Sequence, residues 1–290
     1  MLAGMARIAI IGGGSIGEAL LSGLLRSGRQ VKDLVVAERV ADRARYLAQT
    51  YSVRVTAVGD AVENAAFVIV AVKPSDVESV IGEIADAAAQ ADDEQVYITV
   101  VAGVTTAYFE SKLPAGTAVV RAMPNAPILV GAGVTALAKG RFATSEQLND
   151  VCALFEAVGD VLTVAESQLD AVTAVSGSGP AYFFLMVEAL IDAAVGVGLS
   201  RRVATELVAQ TLAGSAAMLL ERMEQQSPGD APPGPGIDTT ATQLRATVTS
   251  PAGTTAAGLR ELERGGFRAT IDAAVRAAKM RSEELRITSE

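Results

Sequence analysis

Residues 7–11 read as a buried strand that leads straight into Gly12-Gly13-Gly14-Ser15-Ile16-Gly17, and a helix-periodic stretch follows at once. This is G-x-G-x-x-G between a strand and a helix, and in that setting each glycine has a task. Gly12 permits the tight turn, Gly14 lets backbone approach a pyrophosphate, and Gly17 lets the helix pack close to the strand. The free N–H groups at the helix start, from Ser15 and Ile16 onward, then face the phosphates. A chain with this opening is expected to build a βαβ unit that binds a dinucleotide.

The pattern behind the glycines agrees. Residues 34–37, 67–72, 97–102 and 118–121 read as further buried strands, and 131–138 is expected to supply more. Amphipathic stretches at 16–27, 42–51 and 74–89 lie between them. Strands alternating with helices imply a mainly parallel sheet with right-handed crossovers. After about Val164 the strand signal fades. The remainder reads as helices, including one capped by Ser200, broken by a proline-rich stretch at 227–236 that holds four of the ten prolines. The expected architecture is an α/β Rossmann domain over 1–164 and an all-α domain over 165–290.

Composition narrows the function. With 33 acidic against 24 basic residues the formal charge is −9, so no global basic footprint for nucleic acid exists. Histidine is absent, which removes His-based triads, His general acids and His-ligated metals together, and no metal is expected. The lone cysteine, Cys152, cannot form an intramolecular disulfide and suits a reducing cytoplasm. The stretch 179–199 is long and mostly apolar, yet Glu188 and Asp192 lie one helical turn apart and would be costly in lipid. A buried helix in a soluble oligomer is expected there, not a membrane span.

The second strand ends in Ala37-Glu38-Arg39. A carboxylate at that position accepts the ribose hydroxyls of NAD, whereas an arginine pairs with the 2′-phosphate of NADP. The chain offers both, with Arg43 one turn further on, so NADPH and NADH both stay open. Both arginines would also suit plain surface positions. Ala71-Val72-Lys73-Pro74 and Arg121-Ala122-Met123-Pro124-Asn125 follow strand ends, where open α/β sheets bind ligands. Lys73 equally suits a solvated helix start, and Asn125 is expected on the nicotinamide side.

Two later segments complete a pattern. They are Ser176-Gly177-Ser178-Gly179-Pro180-Ala181-Tyr182 and Thr249-Ser250-Pro251-Ala252-Gly253-Thr254-Thr255, with Glu263-Arg264-Gly265-Gly266-Phe267 after them. In order and spacing, these and the N-terminal glycines resemble the pyrroline-5-carboxylate reductase family over nearly the whole chain. The resemblance implies hydride transfer from NADPH, or NADH, to the C=N bond of 1-pyrroline-5-carboxylate, giving L-proline. It also implies homodimers with interlocked C-terminal helices, which in this family often assemble further into decamers, and an active site to which both chains contribute.

By the same resemblance, Ser176, Ser250, Gly253 and Thr254 belong to the substrate pocket, and Thr255 matches the threonine whose hydroxyl lies near the ring nitrogen. A polar turn entering a helix can hold a carboxylate through backbone N–H groups without net positive charge. Family members usually have glycine where this chain has Ala252, and the extra methyl is expected to require φ below zero there. Two rivals stand beside this reading. A hydroxy-acid or keto-acid reductase would want a His or Lys acid near the substrate carbonyl, and the chain has no histidine and no evident central-helix lysine. A non-catalytic dinucleotide-binding regulator would not need the serine, glycine and threonine turn.

Overall fold

The computed structural model describes residues 6–89, 94–225 and 239–286. The proline-rich stretch 227–236 lies outside these residues. The chain divides into two compact units, one within Met1–Pro180 and Val275–Glu290, the other Ala181–Ala274.

In the first unit eight strands form one sheet: β1 (Ile8–Ile11), β2 (Leu34–Ala37), β3 (Arg54–Thr56), β4 (Phe67–Val70), β5 (Val96–Thr99), β6 (Ala118–Met123), β7 (Gly133–Lys139) and β8 (Gly159–Thr163). The order is β3-β2-β1-β4-β5-β6-β7-β8. Every neighbouring pair is parallel except β6–β7. Helices α1 (Ser15–Arg26), α2 (Ala41–Tyr51), α3 (Val58–Val62), α4 (Val77–Ala88), α5 (Thr106–Lys112) and α6 (Ser145–Phe155) lie between them, and α7 (Leu169–Val172) follows β8.

The period of two along a strand explains why the sheet is covered on both faces. Ile8, Ile10, Leu34, Val36, Phe67, Ile69 and Ile98 point one way, into a layer with Leu20, Leu21 and Leu24 of α1 and Val151, Leu154 and Phe155 of α6. Ala9, Ile11, Val35, Val68, Val70 and Tyr97 point the other way, against Ile81 and Ile84 of α4 and Phe109 of α5. Burial of each large apolar side chain is worth about 1.5–3 kcal/mol. Cys152 packs half-buried against the first layer.

The strand expected over 67–72 leaves the sheet after Val70. A Cβ on Gly12, whose φ is +105°, would lie 2.7 Å from the Ala71 oxygen, so the β4 exit and the glycine turn are fitted against each other. The strand expected over 118–121 runs on to Met123.

A charged cluster is buried where α7 meets the chain's final helical turns. Asp170 is 1 % exposed and Arg121, on β6, is 3 % exposed. Asp170 accepts from Ser282 Oγ (2.7 Å) and Arg286 Nε (2.9 Å), with a second contact to Arg286 Nη2. Arg121 lies 4.0 Å from Asp170 and 3.6 Å from Glu166. Glu166 in turn accepts from the Thr106 N–H (2.7 Å) and hydroxyl (2.6 Å).

The second unit is helical: most of α8 (Gly179–Gly196), then α9 (Arg201–Glu224), α10 (Thr240–Thr247), α11 (Thr254–Arg264) and the start of α12 (Phe267–Glu284). Ser200 caps α9 by accepting the Val203 N–H, as expected. This unit buries little of its own apolar surface. Phe183, Phe184, Leu185, Leu207 and Leu220 are all exposed. By length and composition alone, Glu166–Gly196 and Arg201–Glu224 would also suffice to cross a membrane. A patch of this kind on a folded chain marks an interaction surface.

Candidate functional site

Around the glycine turn the structure opens a cleft of about 710 Å³, a size that suits a cofactor. Gly12, Gly14, Glu38, Arg39, Arg43, Ala71, Val72 and Lys73 line it. Gly14 is the N-cap of α1 and has no side chain to satisfy the first N–H groups, which belong to exposed Ser15, half-buried Ile16 and buried Gly17. A Cβ on Gly14 would meet nothing within 4 Å, so the turn is open on the side where a phosphate would approach. A Cβ on Gly17 would overlap the Gly12 carbonyl oxygen. The residues present therefore fit a dinucleotide: an uncapped helix start, an open glycine cradle, and a cleft running past the ends of β1, β2 and β4.

The polar residues at the β2 end are not equally free. Glu38 accepts the Gly13 N–H (2.9 Å) at one oxygen and the Val40 N–H (2.8 Å) at the other, bracing the glycine turn. Arg43, one turn beyond Arg39, is engaged elsewhere. Its Nε donates to the Gly13 oxygen (2.6 Å), and its guanidinium pairs with Glu18 and lies over the Tyr46 ring. Glu18 also accepts from Tyr51 (2.8 Å) and Tyr46 (3.1 Å). Burial opposes the charge on Glu18, but hydrogen bonds from Arg43, Tyr51 and Tyr46 outweigh it and hold the carboxyl below its usual range. Arg39 is left exposed, paired with Asp76 at 2.8 Å.

Lys73 is exposed at the edge of the cleft, with Pro74 opening the next helical turn. Asn125 follows β6 as expected, but its side-chain oxygen accepts the Val134 N–H (2.9 Å) and so fixes the start of β7. Ser176 lies in a π-helical stretch, Thr173–Gly177, that nothing in the sequence announced. Among the described residues its buried hydroxyl oxygen has no hydrogen-bond partner, an orphan group suited to a ligand. A Cβ on neighbouring Gly177 would lie 2.7 Å from the end of Met123, so this stretch packs on the Met123-Pro124-Asn125 segment.

In the second unit the Ser250–Thr255 segment is a turn entering α11, with Gly253 as an N-cap lacking any side chain. The Gly253 N–H donates to the Ser250 oxygen (3.0 Å), closing a turn with Pro251 and Ala252 in its centre. Ala252 sits at φ +59°, not below zero as expected. The reason is the turn: proline at the first central position with a positive φ at the second is the type II pattern, whose second centre favours glycine. A non-glycine residue there costs about 1–2 kcal/mol, part of which glycine would lose again to unfolded-state entropy. Ala252→Gly should therefore stabilise the protein by about 0.5–1 kcal/mol in urea denaturation at fixed protein concentration. Destabilisation of similar size would mean that the turn does not hold this conformation.

Comparison with known proteins decides the family. The chain is 76% identical, over 295 aligned positions covering all of both sequences, to the pyrroline-5-carboxylate reductase of Mycobacterium tuberculosis. The chain belongs to the pyrroline-5-carboxylate reductase family. Residues 166–285 match the family model for pyrroline-5-carboxylate reductase dimerisation, and residues 7–103 that for coenzyme F420-dependent NADP oxidoreductases. A pyrroline-5-carboxylate reductase structure from Coxiella burnetii superposes with a TM-score of 0.86 at 34% identity, covering 98% of this chain and 100% of that one. The Plasmodium falciparum enzyme, solved with NADP bound, gives 0.81 at 28% identity, covering 97% and 98%. Within this family, the exposed apolar surface of the second unit and the dimerisation match agree: this segment associates with another chain.

Proposed function

We propose that the protein is an NADPH-dependent oxidoreductase that reduces 1-pyrroline-5-carboxylate to L-proline, with NADH as the alternative reductant. The observation that carries this reading is full-length membership of a family whose relatives are named for that reaction, at 76% identity. When bound, the nicotinamide supplies a hydride to the carbon of the C=N bond. Residues 1–164 bind the dinucleotide, and 165–290 bind substrate and dimerise. Gly12, Gly14, Ser15, Ile16 and Gly17 hold the pyrophosphate through backbone N–H groups, while Glu38 and Arg39 meet the adenosine ribose. Ala71, Val72, Lys73, Pro74 and Asn125 flank the rest of the cofactor. The orphan Ser176 hydroxyl takes its missing partner from the ligand.

The substrate carboxylate is assigned to Ser250, Gly253 and Thr254, where the uncapped start of α11 supplies N–H donors. The Thr255 hydroxyl orients the ring nitrogen or passes a proton to it through water. A protonated imine is already a good acceptor, so a strong general acid is not needed, in keeping with a chain without histidine. Thr255→Ala should lower kcat about ten- to a hundredfold and leave cofactor affinity within about twofold. Steady-state kinetics with imine and NADPH, beside a cofactor titration, test the assignment, and unchanged turnover would sink it. The oligomer is a cytoplasmic homodimer with interlocked C-terminal helices, built up further into a decamer. Sedimentation of the purified chain checks that assembly.

A further inference from the structure

Arg39, Arg43 and Lys73 line the cleft together with Glu38, Asp76 and Glu83. A 2′-phosphate arriving at the end of β2 needs a cation that can turn towards it. Arg43 is held by the Gly13 oxygen and by Glu18, so it is not that cation. Arg39 is, because its side chain is 72 % exposed and its one ion pair among the described residues is with Asp76. Asp76 closes a short 3-10 turn, Pro74–Asp76, that runs straight into α4 in helical backbone, so its carboxylate caps no N–H group and instead reaches the Arg39 guanidinium at 2.8 Å.

We propose that Asp76 sets the preference between phosphorylated and unphosphorylated dinucleotides by competing for Arg39. Arg39 cannot pair with Asp76 and a 2′-phosphate in full at the same time. Asp76 also places a negative charge beside the position the phosphate would take. A cofactor with a free 2′-hydroxyl is spared both effects, because Glu38 can accept from the ribose while keeping its two backbone N–H bonds. Asp76 therefore weakens binding of the phosphorylated cofactor selectively, and Arg39 acts as the phosphate partner only after leaving it. The inference rests on the dinucleotide-binding reading of the cleft.

The test is equilibrium binding, followed by nicotinamide fluorescence, of NADPH and separately NADH to the full chain and its D76N, R39A and R39A/D76N variants. D76N should tighten NADPH about three- to tenfold, as expected for release of an exposed ion pair plus a nearby repulsion, and change NADH less than about twofold. R39A should weaken NADPH selectively, and D76N should gain less in the R39A background than in the wild type. Raising salt should shrink the D76N gain. Equal changes for both cofactors, or no change with D76N while R39A still weakens NADPH, would overturn the inference and leave dinucleotide binding intact. Failure of the wild type to bind either cofactor would overturn the dinucleotide reading and this inference with it. Because Asp76 lies at the mouth of the cleft, thermal melts of the variants should match the wild type. Asp76→Ala repeats the test without the amide's hydrogen bonds.

Discussion

Asp170→Ala should cost the protein about 3–5 kcal/mol of unfolding free energy near neutral pH, the loss expected when one partner of a buried ion pair is removed. Asp170 and Arg121 are almost fully enclosed, so neither can recover water when the other goes. Without Asp170, Arg121 keeps, among the described residues, only Glu166 at 3.6 Å as an ionic partner, and Glu166 is already engaged by Thr106. Ser282 and Arg286 lose their acceptor too, which frees the final helical turns from α7.

That dock is also built into the loop after β5. Gly103, at φ +77°, lies where any Cβ would overlap the Leu285 carbonyl. The pH dependence has a definite sign. Burial opposes ionisation of Asp170, but hydrogen bonds from Arg286 and Ser282 and the charges of Arg286 and Arg121 hold its carboxyl below the usual range. A lowered carboxyl contributes fully above its unfolded value, about 3.9, and loses the contribution as pH falls through the folded value. The gap between wild type and variant should thus be widest at neutral pH and narrow below about pH 4. Urea denaturation at both pH values measures it; a gap under about 1 kcal/mol at pH 7 would show the cluster to be inessential.

Gly17→Ala should weaken dinucleotide binding about a hundredfold and destabilise the fold by about 1–3 kcal/mol. The added methyl would overlap the Gly12 oxygen, and it would lie 3.3 Å from the Ile10 side chain. Gly12 cannot retreat, because it is itself fitted against Ala71. The start of α1 would have to lift from the sheet, moving the N–H groups that face the cleft. Gly14→Ala is the contrast: its methyl meets nothing within 4 Å, so it should keep wild-type stability and lose affinity only by narrowing the cradle. Thermal melts and cofactor titrations of the two variants separate the roles. Equal melting losses would refute the distinction.

How much of this the sequence disclosed depended on burial. β1, β2 and β4 are covered on both faces and so read as unbroken apolar runs, with the glycine turn marking where the cleft opens. The edge strands were hidden: Arg54–Thr56 is three residues, one exposed and two half-buried, and Gly159–Thr163 mixes Gly, Asp and Thr with only two apolar residues. Sequence position placed Glu38 and Arg43 beside a ribose, but could not say that both brace the Gly13 peptide. Asn125 follows the end of β6, as its place after a strand run implied, with an unforeseen bond to Val134. The Asp170 cluster joins residues more than a hundred positions apart and leaves no local pattern to read. Ala252 was flagged by its missing glycine, yet the sign of its φ followed only from the closed turn around it.

The most direct test of the central claim is the initial rate of NADPH oxidation, and separately of NADH oxidation, by the purified protein supplied with 1-pyrroline-5-carboxylate. Rapid oxidation that depends on the imine, with proline as product, is the predicted result. Tight cofactor binding without imine-dependent oxidation would contradict it, and would make the chain a dinucleotide-binding regulator or a reductase of some other substrate.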